Sequence, residues 1–73
     1  MKKAKHEKLI IPKGGIRIFK KVIAAVKRED VNFKQLMASL PPIQKLPTHY
    51  YVYVPMEYVR RIVDKYDDEI YSY

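Results

Sequence analysis

The chain has no cysteine, no tryptophan and only two glycines in 73 residues. Without thiols no disulfide can staple the fold, and no thiolate can ligate a metal or attack a carbonyl. This suits an intracellular, cytoplasmic protein. Long apolar runs are missing from the N-terminus, where MKKAKHEKLIIPKGG offers only Leu9, Ile10 and Ile11 in succession. A secretory signal needs roughly 7–15 apolar residues and a membrane span about 20, so a soluble protein with no membrane role is expected. Catalytic constellations are missing as well. His6 and His49 lie far apart, Ser39 and Ser72 stand outside any motif, and Asp67, Asp68 and Glu69 are adjacent rather than spaced along one helix face. No metal site and no cofactor are expected, and so short a chain leaves little room for a pocket of the usual several hundred Å³, on the order of 300–1,000. These absences point to a binding protein, not an enzyme.

Acid is scarce where base is abundant. Residues 1–28 hold ten Lys or Arg against the single acid Glu7, residues 29–56 balance, and residues 57–73 carry five acids against three bases, within an overall charge of +7. A basic N-terminal part ahead of an acidic end implies an anionic partner, most often nucleic acid. The chain is one domain, short enough that its core is marginal. Small unstapled domains often gain stability by association, so a homodimer is a reasonable expectation.

Residues 1–7 read as a basic arm. KLIIP (8–12) reads as a strand closed by Pro12, which cannot donate to a sheet ladder, and KGG (13–15) as a turn. A first helix is predicted over 16–28. Ile16, Ile18, Phe19, Val22, Ile23, Ala25 and Val26 fill one half of its wheel; Arg17, Lys20, Lys21, Lys27 and Arg28 fill a separate arc broken only by Ala24. A second helix follows, with Asn32 as cap and Gln35 in capping-box relation, and it stops at Pro41-Pro42. PPIQKLPTH reads as a stiff linker without regular structure. YYVYV (50–54) is a strand by β-propensity, Pro55 fits a first helical position, and Val59, Ile62, Val63, Tyr66 and Ile70 mark a third helix. On that helix Arg60 with Asp64, and Glu57 with Arg61, stand at pairing distance. An internal echo also appears: an apolar strand, a proline, then a helix bearing Lys20-Lys21-Val22-Ile23 or Arg60-Arg61-Ile62-Val63, three residues out of step. The predicted fold is α+β, a small β-α-α-β-α domain over 8–66 with three helices on a two-stranded sheet. An acidic, tyrosine-containing tail (67–73) follows. A helix C-terminus favours cations, so this tail should not prolong an isolated helix, and it could instead fold back onto the basic helix.

All seven tyrosines follow His49. In a strand Tyr50, Val52 and Val54 share one face, the expected core, while Tyr51 and Tyr53 share the other. The second pair could stack on bases, anchor a protein, or be covered by helices or a second subunit. The PKGGI turn could present glycine amides and Lys13 to a phosphate, although it falls far short of a Walker loop. YVYVPMEYVRRIVDKY superficially resembles the first half of a ribbon-helix-helix repressor. Only Asp67 to Tyr73 follow, too few for that family's second helix, so no family is assigned.

The expected function is regulation of gene expression by nucleic-acid binding, DNA or RNA. Contacts run through Arg17, Lys20, Lys21, Lys27 and Arg28, with Lys2, Lys3, Lys5, Lys8 and Lys13 adding affinity. The alternative is a protein-binding regulator, of a style common in phages and viruses, that docks on a nucleic-acid-handling complex such as RNA polymerase through Tyr51, Tyr53, Arg60 and Arg61.

Overall fold

The computed structural model describes residues 5–71. Strand β1 (His6–Pro12) leads through a 3-10 turn (Lys13–Gly15) into helix α1 (Ile16–Glu29), followed by helix α2 (Val31–Ala38) and strand β2 (Gln44–Lys45). Strand β3 (His49–Pro55) then leads through a second 3-10 turn (Met56–Tyr58) into helix α3 (Val59–Tyr71). The strands form one antiparallel sheet in the order β1-β3-β2, and the helices cover one of its faces. This is the expected α+β class, with one correction: the sheet has three strands, not two. Gln44 and Lys45 pair with Tyr51 and Tyr50 inside the proline-rich linker. The prolines at 42 and 47 bound the stretch but leave these two residues their N–H groups, so a short ladder survives between them.

Other boundaries shift for identifiable reasons. β1 begins at His6, taking two residues from the expected arm, because the seven residues of β3 offer it partners along its full length, from His6↔Pro55 to Pro12↔His49. Lys2 and Lys3 lie outside the described residues, as do Ser72 and Tyr73 of the expected tail. Asp67 to Tyr71 are helical despite their acids, for Tyr66 packs on Phe19 and Ile70 is half-buried. Tertiary packing outweighs the unfavourable helix dipole there. The cap of α2 is Asp30, not Asn32. Asp30 has the extended backbone of an N-cap, its Oδ1 accepts the Phe33 N–H at 3.2 Å, and its carbonyl accepts that of Lys34. Asn32 instead donates to the Tyr58 hydroxyl at 3.0 Å.

The core joins Phe19, Val22, Ile23 and Val26 of α1 to Phe33 of α2, Ile62 of α3, and Ile11, Val52 and Val54 of the sheet. Fully burying each such side chain contributes about 1.5–3 kcal/mol, which is what holds so small an unstapled domain together. The internal echo is real but differently aligned. Each boundary of the second strand-turn-helix unit, up to the start of its helix, lies 43 residues after its counterpart: His6 and His49, Pro12 and Pro55, Lys13 and Met56, Ile16 and Val59. Each proline is followed by a three-residue 3-10 turn, so no gap is needed; Arg17 then matches Arg60, and Lys20-Lys21 match Val63-Asp64. Buried Ile11 and Phe19 match buried Val54 and Ile62. Leu9 pairs with its own counterpart Val52, which puts an approximate twofold axis through the middle of the β1–β3 ladder.

Candidate nucleic-acid interface

Helix α1 has a core arc and a basic arc for one reason: its apolar residues recur at helical spacing and no acid is interleaved among the cations. Arg17, Lys20, Lys21 and Arg28 are exposed and Lys27 is half-buried. None of these five forms an ion pair among the described residues. Because the opposite arc packs against the sheet, the basic arc points away from it.

Glu29, the one acid of α1, stands off this arc and is neutralised from α3. Arg61 reaches Glu29 Oε1 at 3.1 Å and Asp30 Oδ2 at 3.3 Å, and Lys65 reaches Glu29 Oε2 at 3.3 Å. The Tyr58 hydroxyl donates to the same Asp30 oxygen at 3.0 Å. Lys65, then Arg61, holds the Glu29 carboxyl below the usual carboxylate range. Asp30 is held low chiefly by the Phe33 N–H, then by the Tyr58 hydroxyl, the Asn32 N–H and the Arg61 charge. Arg61, expected at a partner surface and paired to Glu57, is therefore an interhelical tie. The i, i+4 partner lost because two carboxylates at the α1–α2 corner face it together. Arg60 is exposed, with no ion pair to Asp64.

The other expected cations do not gather into one surface. Lys13 is exposed in the turn before α1. Lys5 lies where β1 starts, its carbonyl accepting the Met56 N–H at 2.8 Å, and its side chain lines a groove with Leu36 and Met56. Lys8 is on the far side of the sheet from α1. The KGG turn has a packing reason for its second glycine: Gly15 is buried, and a Cβ built there would overlap the Tyr66 hydroxyl, whereas one at Gly14 meets nothing within 4 Å. Burial pushes the Tyr66 phenol up, with the Asp67 charge adding to it.

Between α1 and α3 lies an open groove of about 610 Å³, more room than the chain length led us to expect. Lys21, Ala24, Ala25 and Arg28 form one wall, and Lys65, Asp68 and Glu69 the other. The small side chains of Ala24 and Ala25 open it. Part of the acidic end thus faces part of the basic helix, as a fold-back would, but through the packing of a regular helix.

The outer face of the sheet carries the second set of candidates. Register pairs Lys8 with Tyr53, Ile10 with Tyr51 and Pro12 with His49 on this face, sets His6 diagonal to Tyr53, and puts Gln44 opposite Tyr51. Tyr51 and Tyr53 are half-buried and face away from the core, as alternation predicts, while Val52 and Val54 are buried. The side chains touch one another. His6 meets Tyr53 edge-on at 5.6 Å between centroids, His49 lies 5.1 Å from Tyr51, and Lys8 Nζ sits 4.2 Å over the Tyr51 ring. Ile10 is 63% exposed in their midst. Sequence reasoning missed His6, Ile10 and His49 here. Strict alternation along β1, with Ile10 flanked by core-facing Leu9 and Ile11, was the available signal, and the continuous apolar run hid it.

No helix among the described residues is long and apolar enough to cross a membrane. No family model, curated protein or solved structure matches the chain.

Proposed function

We propose that this chain is a small intracellular, non-enzymatic regulator of gene expression that binds nucleic acid, meeting the phosphate backbone with the basic arc of α1. One observation carries the reading: Arg17, Lys20, Lys21, Lys27 and Arg28 share an arc without an acid and without an ion pair, while the acid at the end of that helix is taken up by Arg61 and Lys65. A solvated helix face ordinarily mixes signs. A row of cations with no acid interleaved raises the local potential and concentrates a polyanion, even with Asp68 and Glu69 across the groove from Lys21 and Arg28. Lysine predominates on the arc, and a lysine is a point charge less suited than arginine to bidentate base contacts. The face therefore positions the protein on the backbone more than it reads sequence.

Binding to random-sequence duplex DNA and RNA, titrated against salt, tests this. Five phosphate contacts imply a slope near −4.5 in log K against log salt, or roughly a 500-fold loss of affinity between about 50 and 200 mM. Lys20→Glu with Lys21→Glu should weaken binding and flatten that slope by about two contacts. Absence of duplex binding near physiological salt, or a slope indifferent to the double reversal, would overturn the proposal.

A further inference from the structure

The outer face of the sheet looks away from α1, and its chemistry differs from a merely electrostatic contact. We infer that this face is a docking surface for the unpaired bases of a single-stranded nucleic acid, with Tyr51 and Tyr53 as stacking rings and Lys8 as the phosphate contact. The inference rests on the reading of the ligand as nucleic acid, but not on the α1 contact. Three observations carry it. The rings are presented together: Tyr53 with His6 and Tyr51 with His49 form two aromatic pairs along one strand pair, with exposed Ile10 between them. No acid shares the face, because Glu7 alternates to the opposite side, where its partner is Val54. Lys8 is tethered to the ring itself, 4.2 Å from the Tyr51 centroid.

These features fit bases better than a protein surface. Every base has a π-face, so stacking on tyrosine is tolerant of sequence, and it is stronger than an exposed cation–π contact. A base arriving on Tyr51 displaces the Lys8 ammonium from the ring and leaves it beside the incoming phosphate. The charge complement and the stacking platform thus come from the same pair of residues. A duplex keeps its bases stacked on each other and cannot use the platform, so the face selects single strands.

Fluorescence anisotropy with oligo-dT, oligo-rU and a duplex of equal length, at fixed salt, tests the inference. Tyr51→Ala and Tyr53→Ala should each weaken single-strand binding roughly 5- to 150-fold while leaving duplex binding as it was. Tyr51→Phe and Tyr53→Phe, which keep the ring, should retain it. Lys8→Met should lower the single-strand salt slope by about 0.7, one contact's worth. Unaltered single-strand affinity in folded alanine variants would overturn the platform and leave the α1 reading standing. Loss of duplex binding on reversal of Lys20 and Lys21, with single-strand binding still sensitive to Tyr51, would establish both surfaces. Wild-type protein that binds duplex but neither single strand also overturns the platform, and binding to none of the three removes both readings. Should an alanine variant unfold, photo-cross-linking of 5-iodouracil oligonucleotides to wild-type protein decides: adducts in residues 6–12 or 49–55 support the inference, and adducts confined to residues 16–29 refute it.

Discussion

Replacing each of the two adjacent glycines by alanine should have effects of opposite sign. Neither glycine has a positive φ, so backbone conformation does not demand glycine at either site. At Gly14 an added methyl meets nothing within 4 Å. Gly14→Ala should therefore stabilise by about 0.4–1 kcal/mol, because it removes freedom only from the unfolded chain. At Gly15 the same methyl overlaps the Tyr66 hydroxyl and lies 3.2 Å from the ring carbon that bears it. Tyr66 cannot swing away without leaving its edge-on contact with Phe19, at 5.4 Å between centroids. Overpacking of this kind costs about 1–3 kcal/mol, a fall in Tm on the order of 5–20 °C for a domain this size. The assay is thermal and urea unfolding by circular dichroism, run as a double-mutant cycle with Tyr66→Phe. Removing the hydroxyl should restore much of what Gly15→Ala loses, leaving only the tight ring-carbon contact. If Gly15→Ala is as stable as wild type, or equally damaging with and without the Tyr66 hydroxyl, the packing explanation of the KGG turn is refuted.

Phe33→Ala removes the ring with which α2 enters the core, fully buried in the native fold, and should cost about 3–5 kcal/mol, enough to unfold much of so marginal a domain on a urea titration. Glu29 and Asp30 have folded-state pKa values below their ordinary ones; their contribution is present above the usual carboxylate range and is lost as pH falls through the depressed values, below about 4. Wild-type Tm should therefore drop more on acidification than that of Glu29→Gln with Asp30→Asn; equal drops would contradict the assignment. Arg61→Gln should leave duplex affinity and its salt slope unchanged in the anisotropy assay, since Arg61 is engaged with Glu29 and Asp30; a loss matching that of Lys20→Glu with Lys21→Glu would place it at the interface.

How much of this was legible in the sequence depends on the range of the interaction. The basic arc of α1 and the outward Tyr51 and Tyr53 follow from periodicity alone, and the structure places them as the pattern implies. Asn32 lies two residues past the true cap; Asp30 and Asn32 are both good capping residues, and only the Asp30 backbone angles decide between them. β2 was invisible: two residues carry no periodicity, and their strand character comes wholly from the edge of β3. Arg61 was misplaced because its carboxylate partners lie 31 and 32 positions back along the chain. The repeat was glimpsed but misaligned, since paired basic residues draw the eye more than the turn lengths that set the spacing.

The 43-residue offset between the two strand-turn-helix units has a consequence for how the chain can be divided. The exposed Pro41-Pro42 stretch separates them, and the core is shared across that boundary: Ile11, Phe19, Val26 and Phe33 come from one side, Val52, Val54 and Ile62 from the other. A chain severed there would yield two pieces, each with a seven-residue strand whose full-length ladder partner is in the other piece, β3 keeping only the two residues of β2. Neither piece could pair its strand along its whole length or bury its apolar face against the core residues of the other. The fold is thus organised as an obligate pair of unequal halves held together by a peptide tether, and the tether's role is to keep the halves at high local concentration.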